Sequence, residues 1–252
     1  MKPNHFFDAV KTVTFDVGYT IIFPSESVGT SYQRELAKHG YDLCPDRLEN
    51  SFFQSWLRHV TESQGLIYGT TEAHAVETWS KLLQNMLTHF PSQQFCPKTV
   101  STAARNIYDN FASAGAWKIH PNWENVFRLC KQQGWKVGLL SNWDLRLRKL
   151  LEELGLSRMV DFQVISAEHG VEKPDFKIFQ TAADKAGCKV SEILHVGDTF
   201  IDDVIGAVEA GAKAVWCNHR EQEVDPRLAA YAGKAILVND LSELLNHLGQ
   251  SC

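Results

Sequence analysis

The sequence predicts an α/β protein, a doubly wound, Rossmann-like parallel sheet with a block of helices inserted after its first strand. Three observations carry this. Short apolar, β-branched runs alternate with helical periods beyond residue 117, the signature of crossover units on a parallel sheet. A lone strand-like run at 13–22 stands apart from them, separated by a stretch with helical periodicity only. The chain has 252 residues, 44% of them hydrophobic, enough for one large core with a substantial insertion.

Taken in order, "VTFDVGYTII" (13–22) reads as a buried strand that runs into Asp16 and turns on Gly18. Four amphipathic helices follow. Val28, Tyr32 and Leu36 share a face before Gly40, and Leu48, Phe52, Trp56 and Val60 repeat after Pro45. Val76, Trp79, Leu83, Met86 and Phe90 form a third face, and Val100, Ala104, Ile107 and Phe111 a fourth. Beyond "WKIHP" (117–121), a helix over Val126, Leu129 and Cys130 stops at Gly134 and leads into the strand "WKVGLLSN" (135–142). A helix ending near Gly155, the strand "FQVIS" (162–166) and a helix over Phe179, Ala182 and Ala186 come next. The strand "EILHVGD" (192–198), a helix through Val204, Ala207 and Ala210, and the strands "AKAVWCN" (212–218) and "AILV" (235–238) complete the pattern. The expected division is a core domain of 1–22 and 115–252 and a helical cap of 23–114.

Composition excludes several classes of function. The net charge is -5 with Lys and Arg scattered, so no basic footprint for nucleic acid or anionic membrane is present. No apolar run approaches the roughly 18 residues that span a bilayer. "MKPNHFFDAVK" lacks the apolar core of a secretory signal, and a cytoplasmic protein is expected. The six cysteines form no C-x-x-C pair and read as small fillers or inert thiols. The ten histidines show no metal-binding spacing, and His195 reads as a hydrogen-bonded core residue. Trp56 and Trp79 read as packing groups of the cap.

Ligands of doubly wound sheets bind beyond the carboxyl ends of the strands. Four polar clusters fall there: Asp16; Ser141 with Asn142; Lys173 in "GVEKPD" (170–175); and Asp198 with Asp203 in "VGDTFIDD" (196–203). Each alone is an ordinary turn or helix cap. Their joint order and spacing overturn that bland interpretation.

The set resembles the haloacid dehalogenase superfamily, in its branch with a helical cap between the first and second motifs. "FDVGYT", "GLLSN", "EKPDFKIF" and "HVGDTFIDDVIGA" stand for the four motifs, and the likeness covers nearly the whole chain. "TFDVGYT" is most similar to the rhythmically-expressed-gene-2-like and hydrolase-domain-containing-protein-3 group, which also lacks the second aspartate of the first motif. The resemblance implies a Mg²⁺-dependent phosphatase acting on a small phosphorylated molecule. Asp16 would be the nucleophile that forms an aspartyl-phosphate, with Mg²⁺ held by Asp16, the Gly18 carbonyl and Asp198. Lys173 would neutralise Asp16 and the phosphate, Ser141 and Asn142 would bind phosphate oxygens, Thr20 would secure the turn, and Asp203 would orient metal waters or Lys173.

Gly18 stands where most relatives carry the aspartate that protonates the leaving oxygen and later activates water. Its loss is expected to cost about 10² to 10⁴ in rate on poor leaving groups, and less on aryl or acyl phosphates. Tyr19 is a poor substitute base, with an unperturbed pKa of about 10. Dehalogenase chemistry, and an imine on a cap lysine such as Lys38 or Lys81, fit the motifs less well. The alternative is a silent member of the fold that binds a phosphorylated ligand or a protein partner. Cap loops including "SQGLIYGTT" (63–71) are expected to set substrate choice.

Overall fold

The computed structural model describes residues 5–63 and 67–249. Cys252 and residues 64–66 of the expected substrate loop lie outside them. In chain order the elements are β1 (Thr12–Phe15), β2 (Ile22–Pro24), α1 (Val28–Ala37), α2 (Pro45–Ser63), α3 (Glu72–Leu87), α4 (Pro97–Asn110), β3 (Trp117–Ile119), α5 (Trp123–Gln132) and β4 (Lys136–Ser141). They continue with α6 (Arg146–Glu153), β5 (Phe162–Ile165), α7 (Ser166–His169), α8 (Phe176–Ala186), β6 (Ile193–Gly197), α9 (Gly206–Ala210), β7 (Lys213–Cys217), β8 (Ala235–Val238) and α10 (Leu241–Gly249). The chain divides into an α/β unit, Met1–Phe23, Ile119–Asn142 and Leu154–Cys252, and a helical unit, Pro24–Lys118 and Trp143–Glu153.

In the α/β unit, six parallel strands run in the order β5-β4-β1-β6-β7-β8. All four residues of β1 are buried, as expected for a strand covered on both faces. Leu140, Val164, Phe179, Ile193, Val204 and Trp216 belong to one buried cluster of this unit. Register explains why distant motifs meet. Phe15 lies abreast of Leu139 on one side and Val196 on the other. Asp16 is therefore one residue past that line, and Ser141 and Asp198 are each two residues past theirs. β1, flanked by β4 and β6, stands at the point where the strand order reverses, the position that doubly wound sheets use for ligands.

The first strand is shorter than its sequence suggests. It ends at Phe15, because Ile21 N–H and Ile22 N–H both donate to the Val17 carbonyl at 2.9 Å and close a tight turn. The left-handed backbone of that turn falls on Tyr19, at φ 55°, rather than on Gly18. Val17, Ile21 and Ile22 are fully buried, so the apolar run continues through the turn and hides it. The helix expected through Val204 begins as a π-helical turn, Phe200–Ile205, before α9; such turns mark functional segments often.

In the helical unit, Tyr32 and Leu36 of α1, Leu48 and Phe52 of α2, Leu83 and Met86 of α3, and Ala104 and Ile107 of α4 share one core. The α2 stripe fades toward its end, with Val60 about half exposed (48%). Residues 143–153, read from sequence as part of the α/β region, cluster with this unit instead. The cause is a buried ion pair. Arg146 Nη2 bonds Asp144 Oδ2 at 2.6 Å, its Nη1 donates to the Tyr108 carbonyl at 2.8 Å, and its guanidinium lies 3.7 Å from the Tyr108 ring centroid. Trp79 Nε1 donates to the same Asp144 oxygen, and Gly69, at φ 73°, leaves no room for a Cβ beside Asp144. Trp56 and Trp79 stack in this packing. The five described cysteines are free thiols, and no described helix is long and apolar enough to cross a membrane.

Candidate active site

Asp16, at the carboxyl end of the central strand, is buried and takes two hydrogen bonds on one oxygen. Ser141 Oγ donates to Oδ1 at 3.0 Å and Lys173 Nζ at 2.7 Å. Both polar contacts leave Oδ2 as the oxygen not used for anchoring. Lys173 reaches the site because its loop is held at both ends. Asn142 clasps its backbone, Nδ2 donating to the Lys173 carbonyl at 2.9 Å while Oδ1 accepts the Lys173 N–H at 2.8 Å. Asp175 then caps α8 by accepting the Lys177 N–H at 2.9 Å. Asn142 thus positions Lys173 in this structure, and Ser141 contacts the nucleophile candidate itself.

Lys173 also donates to Asp203 Oδ1 at 2.6 Å. That second carboxylate is braced from three directions. Thr199 N–H donates to its Oδ2 at 2.8 Å, and His195 Nε2 lies 3.0 Å from Oδ1. Gly197 has no Cβ, and a Cβ there would overlap the Asp203 carboxyl. Burial works against the Asp203 charge, but Lys173 and His195 overcome it and hold this carboxyl well below the usual carboxylate range. An ionised carboxylate only accepts hydrogen bonds, so His195 donates from Nε2 and its Nδ1 accepts the Thr14 hydroxyl at 2.9 Å. Burial pushes the pKa of this imidazole down, against the pull of Asp203. Lys173 loses some basicity to burial, yet Asp16 and Asp203 together raise it above its ordinary value. The result is a continuous buried chain, Thr14–His195–Asp203–Lys173–Asp16–Ser141.

The remaining carboxylates are under-compensated. Burial lifts Asp16 to about 6 despite the ammonium of Lys173. It lifts Asp198 to about 8, against the pull of Arg220, and Asp202 to about 7, with the charge of Asp203 adding to it. Trp216 Nε1 donates to the Asp198 carbonyl at 3.0 Å and fixes that strand end. Among the described residues no cluster of three His, Cys, Asp or Glu side chains is spaced to hold a metal. A cation here would rely on two carboxylates, Asp16 and Asp198, with backbone oxygen and water, the ligand style of Mg²⁺. The surplus of buried carboxylate charge and the hard oxygen donors fit such an ion.

Thr20 does not secure the turn through its side chain: Oγ1 is buried without a hydrogen-bond partner, and the backbone bonds to Val17 do that work. Sequence reasoning missed Arg220, whose Nη2 donates to Asp198 Oδ2 at 3.0 Å, and Thr14 as the anchor of His195. A pairing of residues twenty-two apart leaves no periodic signal. Thr14 lies in a strand whose hydroxyls read as β-formers.

Comparison with known proteins identifies the family and the fold. A family model described as haloacid dehalogenase-like hydrolase matches residues 10–211. The chain is 29% identical over 214 residues to the haloacid dehalogenase-like hydrolase domain-containing protein 3 of Danio rerio, across 84% of this chain and 86% of that protein. It is 31% identical over 126 residues to a glyceraldehyde 3-phosphate phosphatase of Methanothermobacter thermautotrophicus, across 49% of this chain and 56% of that one. A solved structure of YfnB from Bacillus subtilis, bound to magnesium, shares the fold with a TM-score of 0.70 at 16% identity, covering 95% of this chain and 98% of that one.

Proposed function

We propose, for a chain that belongs to the haloacid dehalogenase-like hydrolase family, that it hydrolyses small phosphoric monoesters through an aspartyl-phosphate on Asp16. The observation that carries this is the one-sided anchoring of Asp16, with Ser141 and Lys173 both on Oδ1. One oxygen is held and charge-compensated while the other is left to act as the nucleophile. The phosphatase name of the Methanothermobacter relative supports the ester class.

In the first half-reaction Asp16 Oδ2 attacks phosphorus, an aspartyl C–O–P linkage forms, and the P–O bond to the leaving group breaks with its electron pair on that oxygen. Lys173 screens the approach of a carboxylate to a phosphate dianion, and Asp203 and Asn142 keep its ammonium in place. In the second, water attacks phosphorus, inorganic phosphate leaves, and the Asp16 carboxylate returns. Asp16, the Gly18 carbonyl and Asp198 are the groups that would hold Mg²⁺, and the ion would supply positive charge for the phosphoryl oxygens. No side chain at Gly18 can protonate the leaving oxygen. Substrates whose leaving group is already a weak base, such as aryl or acyl phosphates, suffer least from that.

Gly18 also favours a second reading, a protein of this fold that binds a phosphorylated ligand or a protein partner without turnover. Hydrolysis of an aryl phosphate by wild type and Asp16→Asn, with and without Mg²⁺, separates the two. The expected outcome is Mg²⁺-dependent turnover lost in Asp16→Asn; equal rates in both proteins would sink the Asp16 mechanism. Gly18→Asp is expected to raise turnover of alkyl phosphates by about 10² or more. A folded, Mg²⁺-binding Gly18→Asp protein without that gain would mean that another part of the site is missing.

A further inference from the structure

Arg220 is a charged group of the α/β unit that this chemistry leaves without a role. It stands in the turn after β7 and reaches over the carboxyl end of β6, where Nη2 meets Asp198 Oδ2 at 3.0 Å. On its other side the guanidinium lies 4.0 Å from the centroid of the Tyr19 ring. Tyr19 immediately follows Gly18, and its ring is presented by the left-handed backbone at φ 55°, a conformation that a bulky residue adopts only where its surroundings enforce it. The His219 ring lies within 7° of parallel to it. A guanidinium held between a carboxylate and an aromatic face is fixed in orientation.

We propose that Arg220 is the resident counter-ion of Asp198 and that a divalent cation must share this carboxylate with it, so that Arg220 sets the Mg²⁺ affinity of the protein at a lower level than its acidic groups alone would give. This deepens the proposed function and rests on the assignment of Asp198 to the cation. One oxygen of Asp198 is committed to a positive group, and a second cation on the same carboxylate meets the repulsion of the first. Asp198 is only 7% exposed and Arg220 only 32%, so water screens that repulsion poorly. The guanidinium thereby tempers the surplus of buried negative charge that would otherwise draw a cation most strongly. Tyr19, the neighbour of Gly18 in this first motif, offers its ring to the competing charge.

Calorimetric titration of the full chain with MgCl₂ at constant ionic strength tests this on wild type, Arg220→Gln, Arg220→Lys and Asp198→Asn, with circular dichroism to show that each is folded. Arg220→Gln is expected to bind Mg²⁺ about tenfold more tightly or better, Arg220→Lys close to wild type because the charge remains, and Asp198→Asn weakly if at all. Unchanged or weaker binding by Arg220→Gln, beside a loss in Asp198→Asn, would overturn the role of Arg220 and leave the metal assignment standing. Wild-type affinity in Asp198→Asn would overturn the assignment of Asp198 to the cation, and the inference with it.

Discussion

Each unit of the molecule buries a salt-bridge cluster, and the two differ in stoichiometry. In the helical unit Arg146 and Asp144 pair one to one, with side chains 9% and 0% exposed, and the Tyr108 carbonyl and ring complete the guanidinium's surroundings. In the α/β unit a single ammonium, Lys173, faces two carboxylates, Asp16 and Asp203, and both Asp198 and Asp202 feel the charge of Asp203. A balanced pair wrapped in aromatic rings ties residues 143–153 to α3 and α4. Burial, with the charge of Asp203 adding to it, raises Asp16 to about 6, and an excess of carboxylates over ammonium is a poor way to stabilise a fold. Surplus charge of this kind is tolerated where chemistry or a cation uses it.

The comparison breaks most visibly at Lys173. Lys173→Met leaves two carboxylates buried without their ammonium, and is expected to cost about 3–5 kcal/mol in denaturant unfolding and to abolish phosphatase turnover. Adding Asp203→Asn to it is expected to recover stability in part and turnover not at all. Arg146→Met is expected to cost a similar 3–5 kcal/mol or so. There the double variant with Asp144→Asn is expected to recover most of the loss and to leave Mg²⁺ affinity at the wild-type value. If the helical pair resisted rescue, the distinction between a packing pair and a reactive pair would fail.

A smaller effect sharpens the contrast through pH. The Asp203 carboxyl is depressed in the folded protein, net of burial, by Lys173 and His195. Its contribution to stability is therefore complete above the unfolded value of about 3.9 and is lost as pH falls below that toward the folded value. The stability gap between wild type and Asp203→Asn, read by urea unfolding, is expected to be widest at neutral pH and narrower at about pH 3. A gap that stayed constant would mean that Asp203 is not held ionised by its neighbours. The smallest effect is expected at Thr20→Val, within about 1 kcal/mol of wild type, because the buried hydroxyl it removes has no partner.

Much of this was legible in the sequence, and the failures have common physical causes. Strands and helices of the α/β unit follow apolar periodicity; Asp16 and Ser141 meet because parallel register brings strand ends abreast, and the segments after β5 and β6 bring Lys173 and Asp203 to them. The turn at Val17–Ile22 escaped notice because its residues are as buried as a strand's, and only the backbone bonds to Val17 reveal it. Leu241, Leu244 and Leu248 mark α10 at helical spacing, a signal present in the sequence but left unread. Asn142 was expected on phosphate and instead clasps the Lys173 backbone, since an amide's partners depend on the loop opposite. The anchors Arg146, Arg220 and Thr14 all act through pairings that sequence spacing cannot show.

The most direct test of the central claim is chemical trapping of the linkage on Asp16. Sodium borohydride reduces an aspartyl-phosphate to homoserine, so protein quenched with it during aryl phosphate turnover and mapped by peptide mass spectrometry reports where the phosphoryl group resided. Homoserine at position 16, absent without substrate, is the predicted result. Sustained turnover with Asp16 unmodified in every quench would contradict it.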